Sequence, residues 1–142
     1  MTHRPDVCHV APPDLDLART LAANARGFLR GPPHDRQLQD RFHRLAIALE
    51  LALKSYLLFR GHTDETNRRI GHDLRRAADT AQGEGLPIAP ALQRLIADTH
   101  PFFMRGGFHR ERRTDWKRDR ADRAAAELEM LLSNIDAPAG AP

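Results

Sequence analysis

The chain has 142 residues and a formal net charge of +3, with 22 basic residues against 19 acidic ones. That length suffices for one domain with its own hydrophobic core, and the single cysteine, Cys8, excludes an internal disulfide framework. No apolar run approaches the roughly 20 residues that a membrane span needs, and the N-terminus lacks the apolar segment of a secretory signal. We therefore expect a soluble cytoplasmic protein, and so small a positive charge gives only weak support to a nucleic-acid partner.

The N-terminal part of the chain predicts a tail followed by a helix. Residues 1–13 are polar and contain prolines without periodicity, which is typical of a flexible tail. Asp14 is a suitable N-cap for a first helix that runs to about Arg30. Its expected buried stripe is Leu17, Leu21, Ala25 and Phe28.

The stretch 40–61 is the most apolar segment of the chain and predicts a core helix. We expect this central helix to begin near Arg36, with Asp35 as its cap, and to stop at Gly61. Its apolar positions cover nearly the whole circumference. The polar residues along its middle share one narrow stripe, which we expect to form an exposed seam that faces water, a partner or a site: His43, Glu50 and Lys54.

The remaining sequence predicts three further helices. Thr63 should open a short turn, a third helix should run from about His72 to Gln82, and a fourth from Pro90 to about Thr99, closed by Pro101. An irregular segment follows at 101–113. The last helix should be capped by Thr114 or Asp115 and reach Ile135, before a disordered tail at 136–142.

No segment has the alternation that is typical of strands, so the predicted fold class is all-α. The expected architecture is an up-and-down bundle of four to five helices with an irregular loop before the last helix. The bundle should form a single domain over residues 14–135.

Two features of the central region resemble a known family. Glu50 and Lys54 stand one turn apart within an apolar helix that ends at a glycine, and Gly71-His72-Asp73-Leu74 opens the next helix. Over residues 40–82 this pattern resembles the HEPN superfamily of small helical bundles, which occur in prokaryotic toxin, defence and nucleotidyltransferase-linked systems. The resemblance implies a homodimer that acts either as a metal-independent RNA endonuclease or as a nucleotide-binding or scaffolding module.

In the catalytic members an arginine and a histidine, separated by about four to six residues, lie across the dimer cleft. Arg94 and His100 have five residues between them and occupy the end of the penultimate helix, so they are the candidate catalytic pair. A histidine can take the proton of a ribose 2′-hydroxyl near neutral pH while a guanidinium holds the phosphate. Pairs with this spacing occur in the chain about as often as chance predicts, so the location alone favours this one.

Two further sets of residues are candidates for binding. Arg105, His109 and Arg110 lie beside three phenylalanines, and basic groups interleaved with aromatic rings bind single-stranded nucleic acid. The alternative is that the rings fill the end of the bundle. The second set is Glu50, Lys54 and His72, for which the alternative is an ordinary helical ion pair and a helix cap.

These patterns lead to one functional prediction and two alternatives. The predicted function is a HEPN-like bundle that binds or cleaves RNA or nucleotide in a toxin or defence-type system. The first alternative is a noncatalytic protein-interaction module of the same fold, for example a partner of a nucleotidyltransferase-type protein. The second is an unrelated four-helix bundle. We predict neither a cofactor nor a metal site.

Overall fold

A computed structural model describes residues 14–31, 38–104 and 115–135. Within these ranges the chain forms helices and no strand, so the all-α prediction is confirmed. The six helices are α1 (Leu15–Arg30), α2 (Leu38–Phe59), α3 (Asp64–Ile70), α4 (Leu74–Gly83), α5 (Pro90–Met104) and α6 (Arg118–Asn134). The predicted tails at 1–13 and 136–142, the Asp35 cap, residues 105–113 of the predicted loop and Thr114 lie outside these ranges.

Helix α2 is the core of the bundle, as its composition predicts. It contacts every other helix in the described ranges. Around it α1 packs on α6, α6 on α5 and α5 on α4, so α2 is wrapped by these four helices. Its largest apolar side chains are almost completely buried, among them Phe42, Leu45, Leu49, Leu53 and Leu57. No helix in the described part of the chain is long and apolar enough to cross a membrane.

Helix α1 packs mainly through alanines, and of its predicted stripe Ala25 is buried whereas Leu17 and Leu21 are half-buried. Its fully buried residues are Ala18, Ala22 and Ala25, whereas Phe28 is 38% exposed. Small side chains let the backbones of α1 and α2 approach closely, and Ser55 Oγ donates a 2.6 Å hydrogen bond to the carbonyl of Ala18. The predicted N-cap is confirmed, because Asp14 accepts from the backbone N–H of Leu17.

The prediction that Pro101 closes the fourth helix is wrong. Helix α5 continues through Pro101 to Met104. Burial of Phe102 explains the extra turn, since this side chain is 3% exposed and its ring centroid lies 5.5 Å from that of Trp116. The apolar area buried there offsets the hydrogen bond that the proline removes from the helix.

The predicted cap of the last helix is wrong as well. Helix α6 begins at Arg118, and Lys117 occupies the N-cap without a side-chain hydrogen bond. Trp116 determines this boundary. The centroid of its ring lies 4.4 Å from that of Phe42, and its Nε1 donates a 3.0 Å hydrogen bond to Gln39 Oε1. These contacts to α2 hold residues 115–117 outside the helix.

Candidate functional site

The first candidate site joins α2 to the turn between α3 and α4. Lys54 Nζ donates to Glu50 Oε2 at 3.1 Å and to the carbonyl of Gly71 at 2.7 Å. His72 Nδ1 lies 3.1 Å from Glu50 Oε1. We call these four residues the buried charge cluster, after the largely buried side chains of Glu50 and Lys54. The residues of the predicted binding set therefore come together, and they do so with the glycine of the GHDL segment.

This cluster corrects the expectation of an exposed polar seam. The side chains of Glu50 and Lys54 are only 9% and 12% exposed, because the α3–α4 turn covers them; His72 is 79% exposed. Gly71 has φ +59°, in the left-handed region that favours glycine, and this conformation forms the turn. A buried carboxylate is tolerated only when it is paired, and both oxygens of Glu50 have partners.

The helices on either side of the turn are fixed by their own caps. Thr63 caps α3, and Asp73 Oδ1 accepts from the backbone N–H of Arg76 to cap α4. Asn67 on α3 donates from Nδ2 to the carbonyl of Lys54 at 3.2 Å. The turn is thus attached to α2 through backbone and side-chain groups, which indicates a structural role for the cluster.

His100 lies near this region rather than near Arg94. Its Nδ1 is 3.8 Å from Asp73 Oδ1, and that nitrogen is buried without a hydrogen-bond partner. Arg94 precedes it by six positions, which along an α-helix means about 9 Å of rise and about 240° of rotation. The two candidate catalytic side chains therefore leave α5 on different faces, and one copy of the chain does not assemble them as a pair.

Arg94 instead belongs to a groove of about 530 Å³ between α5 and α6. We call it the arginine groove, because three of the residues lining it are arginines. Two acids and two apolar residues complete the wall. The lining residues are Pro90, Ala91, Arg94, Asp119, Arg120, Arg123 and Glu127.

Two contacts give the relative direction of the helices that form the groove. Arg120 Nη1 lies 3.4 Å from both carboxylate oxygens of Asp98, so the later part of α5 meets the start of α6. Pro90, at the start of α5, lines the groove together with Glu127. The helices are therefore antiparallel, and Arg94, one turn before Asp98, is level with Arg123, one turn after Arg120.

Most charges in the groove have no partner among the described residues. Arg120 has Asp98 as its partner, whereas neither Arg94 nor Arg123 makes an ion pair or side-chain hydrogen bond with any residue in the described ranges. Both are exposed. Exposed guanidiniums present several donors in a planar fork that matches a phosphate or carboxylate group. The arginine groove can therefore bind an anion.

Several predicted site residues are not tested by these contacts. Arg105, His109 and Arg110 lie outside the described residues, so their binding role stays a prediction. His43 is half-buried on α2. Within the described ranges, no group of three or more His, Cys, Asp or Glu side chains is arranged to hold a metal ion.

A second groove, of about 730 Å³, is mainly apolar and lies between the α4–α5 connection and the end of α6. Met130, which is 60% exposed, lines it together with Ile88 and Leu131. The sequence reasoning identified neither this groove nor Arg120 and Arg123. The charged face of α6 was visible in the sequence, but its alignment with Arg94 depends on the antiparallel packing of α5.

Comparison of the chain with protein-family models, with curated proteins and with solved structures finds no match.

Proposed function

We propose that this protein is a HEPN-like helical bundle that binds RNA or nucleotide through the arginine groove. The observation that carries this proposal is the pair of exposed arginines without ion-pair partners among the described residues, Arg94 and Arg123, which are level on facing helices. Phosphate is the anion that RNA and nucleotides present, and guanidinium groups bind it through charge-assisted hydrogen bonds.

The family part of the proposal is supported by the buried charge cluster. The residues behind the resemblance, Glu50 and Lys54 on one helix and Gly71 and His72 at the next turn, contact one another directly. Their spacing in the sequence therefore has a physical reason, namely attachment of the α3–α4 turn to the core helix. A homodimer and a toxin or defence setting rest on the resemblance.

RNA binding is tested with matched variants. Fluorescence anisotropy with labelled single-stranded RNA should show that Arg94→Ala and Arg123→Ala each weaken binding by about tenfold, or about 1.4 kcal/mol. The control is Arg19→Ala, which removes one exposed arginine of α1 and should change binding by less than about twofold. Equal losses in all three variants would mean that net charge, rather than the groove, attracts the RNA.

Cleavage is the stronger form of the proposal, and it requires a second copy because Arg94 and His100 leave α5 on different faces. The wild-type protein and a His100→Ala variant are incubated with single-stranded RNA in the absence of metal. Cleavage by the wild type alone supports a metal-independent endoribonuclease. No cleavage, or equal cleavage by both proteins, would exclude ribonuclease activity at His100 and leave a binding function.

The second candidate is a noncatalytic module of the same fold that docks on another protein, for example a nucleotidyltransferase-type partner. The apolar groove that Met130 lines favours it, because contiguous apolar surface is typical of protein interfaces. Absence of both RNA and nucleotide binding would leave this candidate in place of the first.

A further inference from the structure

We infer that the arginine groove is a single-phosphate site for a mononucleotide rather than a track for a polynucleotide backbone. The phosphate of the mononucleotide would lie between Arg94 and Arg123. The hydroxyl or amino groups of the mononucleotide would face Asp119 and Glu127. The inference rests on the proposed function and narrows it to one ligand class.

The order of the charges along α6 disfavours a polynucleotide backbone. Asp119, Arg123 and Glu127 follow one another at intervals of four residues, so they form one line along the helix in steps of about 6 Å. The signs along this line are negative, positive, negative. A polynucleotide that followed the helix would bring its next phosphates beside carboxylates on either side of Arg123, and like charges repel there.

Helix α5, which faces α6, places a second arginine at the same level of the groove. Arg94 is level with Arg123 and has no ion pair among the described residues. The two guanidinium groups can therefore bind one phosphate from opposite sides of the groove. Arg120, the third arginine of the groove, is already held by Asp98, whose two carboxylate oxygens lie 3.4 Å from its Nη1. The free positive charge is thus confined to one point of the groove, which fits one phosphate group.

The two carboxylates that line the groove, those of Asp119 and Glu127, suit donor groups of a ligand. Neither Asp119 nor Glu127 makes an ion pair or side-chain hydrogen bond with another residue in the described ranges, although Arg123 is one turn from each. Ionised carboxylates are acceptors only, so the ligand group that they suit is a hydroxyl or an amino group. A nucleotide has these groups on its ribose and base, and a groove of about 530 Å³ is within the range of small-molecule sites, about 300–1,000 Å³.

The test is isothermal titration calorimetry with four probes: adenosine 5′-monophosphate, adenosine, inorganic phosphate and a short single-stranded RNA. The variants are Arg123→Ala and Glu127→Gln. The control is Glu129→Gln, which neutralises an exposed carboxylate of α6 that does not line the groove. Thermal melting of each variant verifies that it is folded.

The inference predicts that the mononucleotide binds more tightly than adenosine or phosphate. Arg123→Ala should weaken this binding by about tenfold and Glu127→Gln by about threefold, whereas Glu129→Gln should leave it unchanged. Glu127→Gln should not weaken RNA binding, since it removes a repulsive charge.

Three results would overturn the inference. RNA binding that depends on Arg123 without mononucleotide binding would refute it and leave the proposed function intact. Equal affinity for phosphate and mononucleotide would indicate an anion site without nucleotide recognition. Absence of binding by every probe would refute both the inference and the proposed function.

Discussion

The buried charge cluster and the arginine groove both contain charged side chains, but they differ in how far those side chains are buried and in whether they have partners. In the cluster, Glu50 and Lys54 are almost fully covered and each has two partners. In the groove, Arg94 and Arg123 are exposed and have no ion-pair partner within the described ranges. A buried pair is costly to break because the remaining charge loses its partner, whereas an exposed charge without a partner is available to a ligand.

The difference separates two sets of residues that the sequence offered together as site candidates, Glu50, Lys54 and His72 on one side and Arg94 on the other. The residues that carry the family resemblance are in the cluster, where they attach a turn to the core helix. The residues that we propose as a ligand site are on α5 and α6, outside the stretch that carries the resemblance. The contacts of Glu50, Lys54 and Gly71 therefore account for their spacing by a structural role rather than by a site.

The largest effect on stability is expected for Lys54→Met. This change leaves the buried Glu50 carboxylate without its ammonium partner and the Gly71 carbonyl without its donor, so the free energy of unfolding should fall by about 3–5 kcal/mol. Urea denaturation measures it. The control is Arg69→Met, which breaks the exposed pair with Glu65 and should cost about 0.5 kcal/mol at most. Equal losses would show that the cluster is no more structural than a surface pair.

A double variant sharpens the same comparison. In Glu50→Leu combined with Lys54→Met neither ion is present, so no uncompensated charge is buried. We expect the double variant to be more stable than Lys54→Met alone by about 1–2 kcal/mol, although the Gly71 carbonyl still lacks its donor. A double variant less stable than the single one would mean that the carboxylate acts through His72 rather than through Lys54.

A smaller effect is expected for Asp73→Ala, which removes the N-cap of α4 beside the cluster. Loss of one capping hydrogen bond should lower the free energy of unfolding by about 1 kcal/mol. Thr63→Ala, which removes the corresponding cap of α3, is the matched variant. A much larger loss for Asp73→Ala than for Thr63→Ala would show that the neighbouring His100 also depends on this carboxylate.

The smallest effect on stability is expected in the groove. Arg94→Ala and Arg123→Ala break no ion pair with any described residue, so thermal melting and urea denaturation should place them within about 0.5 kcal/mol of the wild type. Their effect should instead appear in phosphate-ligand binding. A destabilisation of about 2 kcal/mol or more would mean that these side chains hold α5 and α6 together.

Much of the fold follows from local signals in the sequence. The apolar circumference of α2 predicts a buried rod, Asp14 is a cap that satisfies a backbone donor, and Gly61 and Gly71 have the positive φ of chain reversals. Each of these depends on a few neighbouring residues. They were therefore visible without any knowledge of the tertiary contacts.

The remaining features depend on contacts between distant segments. Pro101 stays inside α5 because Phe102 is buried beside Trp116, and α6 starts late because Trp116 contacts α2. The arginine groove depends on the register of two antiparallel helices. No short pattern contains that register, and so Arg123 could not be associated with Arg94 from the sequence.

The most direct test of this account is to map the binding of adenosine 5′-monophosphate by nuclear magnetic resonance on nitrogen-15-labelled protein. The account predicts that the side-chain Nε–H signals of Arg94 and Arg123 and the backbone amide of Glu127 shift on titration, while the amides of Gly71 and His72 stay in place. Shifts confined to Gly71 and His72, with the arginine signals unchanged, would contradict it and make the buried charge cluster the site.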